Sequence, residues 1–197
     1  MLPLYDKKRI KESIPYGTIF LVFLNTIVFF ISYSYSDFAF SFFSFSLNNL
    51  FEGMFFTIFT SMFMHGSIWH LLINMWFLWV FGYNLEMKLK TFPFLLYYLT
   101  CGIAGSLLFA LSSSNSALIM GASGAISGLL GGYLVLFPRN KIKALFPPIF
   151  LPAVIYIFLW FLCQIFSVGQ IDSTVAYWGH IGGFIAGILF IKAFKKI

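Results

Sequence analysis

One serine and one histidine, each set among glycines, are the residues of this sequence best suited to nucleophilic chemistry. Ser123 lies in Gly-Ala-Ser-Gly at 121–124, and His180 lies in Gly-His-Ile-Gly-Gly at 179–183. A serine hydroxyl is a weak nucleophile until a base removes its proton, and histidine commonly supplies that base. Taken singly, Ser123 also fits a packing serine, and His180 fits a histidine bonded to a neighbouring carbonyl. Together they indicate hydrolysis by a Ser–His dyad.

The glycines around these two residues predict how the dyad is assembled. Gly121 and Gly124 flank the serine and allow close approach of a substrate backbone. Glycines recur every fourth residue at 124, 128 and 132, and again at 179, 183 and 187. Two such ridges of small residues let helices pack closely. We therefore expect the helices of Ser123 and His180 to touch, with Gly183 in the contact.

A second polar pair, His70 and Asn74, is spaced to share one helix face. Both side chains can donate hydrogen bonds to a developing oxyanion, as can the backbone N–H of Ser123. Asn74 also suits a hydrogen bond between helices. His65 precedes this helix and suits a structural role in the loop.

The acidic residues do not complete a triad. Those expected near the histidines, Asp37, Glu52 and Asp172, lie in loops, and we assign no Asp or Glu to the interior of an apolar segment. The three histidines could also be metal ligands, but their spacing matches no compact zinc motif. The prediction is a dyad with no metal and no cofactor.

The composition is that of an integral membrane protein. Hydrophobic residues make up 60% of the chain and charged residues only 9%, against about 25% charged in soluble domains. Six segments approach the roughly 20 apolar residues that cross a bilayer. They are 14–34, 69–87, 92–111, 122–137, 147–166 and 176–193. The Phe-rich segment 35–68 is broken by polar residues and is predicted to be an interfacial or partly embedded loop. The fold class is therefore all-α, with one membrane domain over 1–197.

The basic residues divide the two sides of the membrane. All twelve lysines and arginines fall at one set of segment ends, whereas the histidines and Ser123 fall at the other. Basic loops face the cytoplasm, which places both termini there. The net charge of +6 thus reflects topology, and we expect no nucleic-acid partner. The helices carrying His70, Ser123 and His180 all enter from the outer side, so these residues share one depth.

At these residues the chain resembles the rhomboid family of intramembrane serine proteases. The stretch 65–75 looks like the family's His-x4-His-x3-Asn signature, and 121–124 looks like its Gly-x-Ser-Gly motif. The run 179–183 with Gly187 is similar to its sixth-span motif. The stretch 79–82 with Leu85 and Glu86 also resembles the end of the family's second span.

The resemblance implies a six-transmembrane-helix bundle in which Ser123 is the nucleophile and His180 is the general base and later acid. It implies oxyanion stabilisation by His70, Asn74 and the Ser123 backbone. Its implied partners are the lipid bilayer and transmembrane protein substrates, which must unwind locally because a helix hides its carbonyls in hydrogen bonds. It implies no particular oligomeric state.

Two positions depart from the family's pattern. Phe56-Thr57 stands where many members have Trp-Arg, and Ser127 stands where many have an aromatic residue that stacks on the histidine. Orientation of His180 must then come from elsewhere.

An inactive relative that binds membrane proteins and a small transporter or channel are the alternative functions. The membrane predicted is a prokaryotic plasma membrane, with an organelle membrane as the alternative.

Overall fold

The computed structural model describes residues 2–7, 13–34, 36–145, 147–169 and 175–194. Two of the loop acids considered above, Asp172 and the side chain of Asp37, lie outside this description. Helices dominate the described part. They are α1 (Tyr16–Tyr33), α2 (Ser36–Phe43), α3 (Leu47–Phe51), α4 (Thr57–Thr60), α5 (Ile68–Phe77), α6 (Tyr83–Leu89), α7 (Thr91–Ser112), α8 (Ser123–Leu136), α9 (Ala153–Ser167) and α10 (Tyr177–Phe194).

Each of the six predicted apolar segments contains helix. The second is continuous, because a π-helical turn at Leu78–Gly82 joins α5 to α6. By length and composition, α1, α7 and α10 could cross a membrane, and α8 and α9 are shorter apolar helices. In the fifth predicted segment, helix α9 begins at Ala153 rather than at 147. The prolines at 147, 148 and 152 disfavour helix before that residue.

The structure also contains a small β-sheet, which the predicted all-α fold class did not include. It has strands β1 (Pro3–Asp6), β2 (Lys141–Ala144) and β3 (Phe150–Pro152), in the order β1-β2-β3 with both pairings antiparallel. The sheet ties the N-terminal segment to the connection between α8 and α9. The buried Asp6 carboxylate adds to this tie, because it accepts hydrogen bonds from Asn84, Tyr133 and Asn140.

The loop predicted over 35–68 is folded into short helices. A backbone bridge pairs Phe45 with Ile119, and Asn48 N donates to Asn115 O at 3.0 Å. Thr57, at one of the departures from the family pattern, is fully buried, and its hydroxyl donates to Met54 O at 2.7 Å. These bonds fasten the loop both to itself and to the segment that leads into α8.

Glu86 corrects the expectation that no acidic residue lies within an apolar segment. Its carboxylate is buried in α6 and accepts from Gly17 N at 2.6 Å and Thr18 N at 2.7 Å. The hydroxyls of Thr18 and Thr91 also donate to it, each at 2.8 Å. The first N–H groups of a helix lack intrahelical partners, so Glu86 caps α1 from another helix. A negative charge is also favourable at that end of the helix dipole.

Glycines bring α8 and α10 into backbone contact, as the two ridges predict, and Gly105 of α7 also lies against the Gly179 carbonyl of α10. A Cβ built on Gly183 would overlap the carbonyl oxygen of Gly124, and one on Gly187 would overlap that of Gly128. Gly132 differs from the prediction, since its nearest neighbour is the Tyr97 hydroxyl of α7. That hydroxyl also lies 2.8 Å from Gly128 O and 2.9 Å from Gly187 O. It bridges all three helices at one point.

Candidate active site

Ser123 is the first residue of α8, and the backbone before it is unusual. Gly121 has φ +118°, a conformation that L side chains rarely adopt, and its N–H donates to Ser61 O at 2.8 Å. Within the described part of the chain, no side chain caps the start of α8. The free N–H groups of its first turn therefore remain available to a developing negative charge beside the half-buried Ser123.

His70 lies against the turn that precedes Ser123. The hydroxyl of Ser67 accepts from His70 N at 3.1 Å, which caps α5 and fixes where that helix begins. A Cβ on Gly121 would stand 2.8 Å from His70 Nε2 and 3.8 Å from Ser123 Oγ. The imidazole of His70 and the hydroxyl of Ser123 thus flank one point, which is open only because residue 121 is glycine.

Asn74 lies one turn further along α5 and is buried. Its Nδ2 donates to His70 O at 2.9 Å. An amide nitrogen carries two N–H bonds, so a second one remains for an oxyanion. The bond to His70 O fixes the orientation of the side chain.

His65 is fully buried in the loop before α5. Its ring packs edge-on against that of His70, with 5.0 Å between centroids, and its Nδ1 lies 3.3 Å from Phe63 O. Burial, with a smaller contribution from the neighbouring His70, lowers the pKa of His65 to about 3. A neutral ring that supports His70 fits the structural role expected for His65.

His180 lies on α10 between the glycines that contact α8. The carbonyl oxygen of Gly179 is 3.6 Å from the position of a Cβ on Gly124, and Gly183 lies against the Gly124 carbonyl. Ser123 and His180 therefore occupy adjoining positions of the same helix interface. Among the described residues no hydrogen bond joins Ser123 Oγ to His180; in enzymes without substrate such bonds are often long and tighten only when substrate binds.

His180 takes its orientation from α9, which sequence reasoning missed. Its Nδ1 lies 2.8 Å from Oε1 of the buried Gln164, and the rings of Trp160 and Tyr177 flank it with centroids 6.3 Å away. Ser127 plays no part in this, because its hydroxyl donates to Ser123 O at 2.6 Å. The signal in the sequence is a lone glutamine in an otherwise apolar helix, whereas the usual orienting partner of a catalytic histidine is an acidic residue.

Known proteins resemble the chain over the same part that carries these residues. The model of the Rhomboid domain matches residues 52–196. The chain is 33% identical over 145 residues to "Rhomboid protein 1, mitochondrial" of Saccharomyces cerevisiae, covering 68% of this chain and 40% of that protein. It is 36% identical over 137 residues to "Rhomboid protease GluP" of Bacillus subtilis, covering 69% of this chain and 25% of the relative. "Rhomboid-like protease 3" of Toxoplasma gondii is 32% identical over 144 residues, covering 70% and 51%.

These matches cover a quarter to half of each relative's length, so they concern a shared domain. The matched region includes all the candidate site residues, from His65 to His180. With the apolar helices α1, α7 and α10, the match identifies an integral membrane protein. The chain belongs to the rhomboid family.

Proposed function

We propose that the chain is an intramembrane serine protease that cleaves transmembrane proteins near the outer face of the membrane. Two of the relatives are named as proteases. The observation that carries the proposal is the meeting of three helices at the start of α8. His70 and Ser123 flank one point beside Gly121, and the contact of Gly124 with α10 brings His180 to the same interface.

In the proposed reaction, Ser123 Oγ attacks the carbonyl carbon of the scissile peptide bond while its proton passes to His180 Nε2. Negative charge develops on the carbonyl oxygen, and His70, Asn74 and the Ser123 N–H stabilise it. The C–N bond breaks, and the amine leaves with the proton from His180. Water then hydrolyses the acyl-enzyme ester, and His180 again moves the proton.

The proposed substrate geometry follows from the depth of the site. A transmembrane helix offers no free carbonyl, because its backbone is hydrogen-bonded throughout. A substrate segment therefore has to unwind before Ser123 can attack. We propose that both termini of the chain are cytoplasmic and that the site opens to the opposite side, in accord with the distribution of its basic residues. A C-terminal tag resistant to protease in sealed right-side-out vesicles would support this orientation, and digestion of the tag would contradict it.

The test is cleavage of a single-span reporter protein in liposomes by wild type, Ser123→Ala and His180→Ala. Ser32→Ala is the matched control, since Ser32 is a buried helix serine of α1 that bonds only to its own turn. We expect cleavage by wild type and Ser32→Ala and none by the other two. Cleavage that survives Ser123→Ala would refute the nucleophile. A folded wild type that cuts no reporter would favour a binding function.

A further inference from the structure

Gln164 is the one buried residue in the second half of α9, between Ile157 and Ser167. The other side chains of that half are apolar and either point outward or pack on α10. The ring of Phe161, for example, stacks on that of Phe184 with 4.3 Å between centroids. A polar side chain buried in an apolar helix is costly unless its hydrogen bonds are satisfied. Gln164 satisfies them at both ends of its amide, one within α9 and one on α10.

The two contacts leave only one orientation of the amide. Its Nε2 donates to Trp160 O at 3.1 Å, one turn earlier in α9. A carbonyl only accepts, so the NH2 group must face Trp160 and the oxygen must face His180. Gln164 Oε1 is itself an acceptor, and it lies 2.8 Å from His180 Nδ1. That ring nitrogen must therefore carry a hydrogen.

We infer that Gln164 is a positioning residue that holds His180 in the tautomer with its hydrogen on Nδ1 and a lone pair on Nε2. This inference rests on the proposed function, since it assigns the third member that the dyad lacks. In the neutral ring only one nitrogen is protonated. Fixing that hydrogen on Nδ1 leaves Nε2 free to receive the proton of Ser123. In the imidazolium that forms, the Nδ1–H bond to Gln164 persists, and the Nε2 proton is the one passed to the leaving amine.

An amide performs this task in a membrane at a lower cost than an acid. In soluble serine proteases a buried carboxylate holds the tautomer of the histidine. A charged side chain within a span costs a few kcal/mol or more. The glutamine supplies the same acceptor without a charge. It stabilises the imidazolium less than a carboxylate does, so its contribution is to orientation and tautomer.

The first test does not depend on activity. Nitrogen NMR of the 15N-histidine-labelled protein in detergent, at a pH where His180 is neutral, distinguishes a protonated from an unprotonated ring nitrogen. A His180→Asn sample assigns the signals among the three histidines. We expect Nδ1 of His180 to be protonated and Nε2 to be unprotonated. The opposite tautomer in folded wild type would overturn the inference, even if the protein cleaves its substrate.

The second test compares Gln164→Met with Gln164→Glu. Methionine keeps the length and flexibility of the side chain but lacks the amide oxygen, whereas glutamate retains an acceptor. Cys163→Met is the matched control on the exposed face of α9. The rate at which a fluorophosphonate phosphonylates Ser123 Oγ, with loss of fluoride, reports activation of the nucleophile directly.

We expect Gln164→Met to lower the phosphonylation rate and kcat roughly tenfold, which corresponds to the free energy of one net hydrogen bond. KM should be little changed, and a second tautomer of His180 should appear in the spectrum. Gln164→Glu should recover most of the rate, and Cys163→Met should match wild type. A Gln164→Met protein that is folded, fully active and unchanged in tautomer would overturn the inference. The two proposals fail on different results. Cleavage that survives Ser123→Ala contradicts the proposed function, whereas the opposite tautomer of His180 in wild type contradicts the role of Gln164.

Discussion

The α7–α8–α10 group and helix α9 are built on opposite principles. In the group, glycines place backbone against backbone, and Tyr97 bonds across all three helices. Helix α9 buries only Ala153, Tyr156, Ile157 and Gln164, and beyond its first turn it meets α10 through side chains such as Phe161 and Gln164. The backbones of the proposed nucleophile and base belong to the first region, whereas the hydrogen bond that orients the base comes from the second. Backbone packing thus fixes the distance between the helices of Ser123 and His180, whereas a side chain on α9 sets the orientation of the His180 ring.

The largest expected effect comes from adding one methyl group inside the tight group. Gly183→Ala places a Cβ on the Gly124 carbonyl, and backbone atoms cannot move aside as side chains do. We expect a loss of at least about 3 kcal/mol in the free energy of unfolding, at the upper end of the cost of overpacking. Thermal or denaturant unfolding in detergent measures it.

Two controls refine this prediction. Gly66→Ala should be nearly neutral, because its Cβ would meet only Met120 Sδ at an ordinary 3.7 Å. Ile165→Ala on α9 should cost less than about 1 kcal/mol, since that side chain is already 43% exposed. An equal loss for Gly183→Ala and Ile165→Ala would remove the distinction between the two regions.

The next effect concerns α1, whose first turn is capped by a single carboxylate. Glu86→Gln replaces one acceptor oxygen with an NH2 group, which then faces the donors of Gly17 and Thr91 on one side or those of Thr18 on the other. We expect a loss of roughly 3 kcal/mol, as when a buried charged partner is removed. Glu52→Gln, at an exposed position, is the control. Equal stability of the two variants would contradict the capping role of Glu86.

A third prediction leaves the packing intact and alters the chemistry. Asn74→Ala removes one proposed oxyanion donor, and kcat should fall about a hundredfold. The unfolding transition should stay within about 1 kcal/mol of wild type, because Asn74 bonds only to its own helix. Asn115→Ala, on an exposed loop, serves as the control. Unchanged kcat in folded Asn74→Ala would end the oxyanion assignment.

The smallest effect is a pH dependence from the loop that supports His70. Folded His65 stays neutral down to pH about 3, whereas an unfolded histidine takes up a proton near pH 6.5. The contribution of neutral His65 is complete above pH 6.5 and is lost as the pH falls toward 3. Unfolding of wild type and His65→Gln between pH 7.5 and 5 should show a steeper loss for wild type. Parallel curves would contradict this.

The sequence predicted the helices and the close packing of Gly124 with Gly183, because apolar length and four-residue spacing report directly on membrane helices. It did not predict the sheet, whose strands are short and distant along the chain. It also missed Glu86 and Gln164. Their roles depend on which helix lies beside them, and periodicity within one segment carries no information on that. Ser127 shows the same limit, because Gln164, the residue that contacts the His180 ring instead, lies on another helix.

The Glu86 cap has a consequence for how the protein is made. A chain is synthesised from its N-terminus toward its C-terminus, and Glu86 follows Gly17 by 69 residues. The amides of Gly17 and Thr18 therefore remain without their carboxylate until a later helix has been synthesised and has reached the bilayer. Helix α1 is thus completed only by a residue translated much later. A chain arrested before Glu86 leaves the first turn of α1 without this cap.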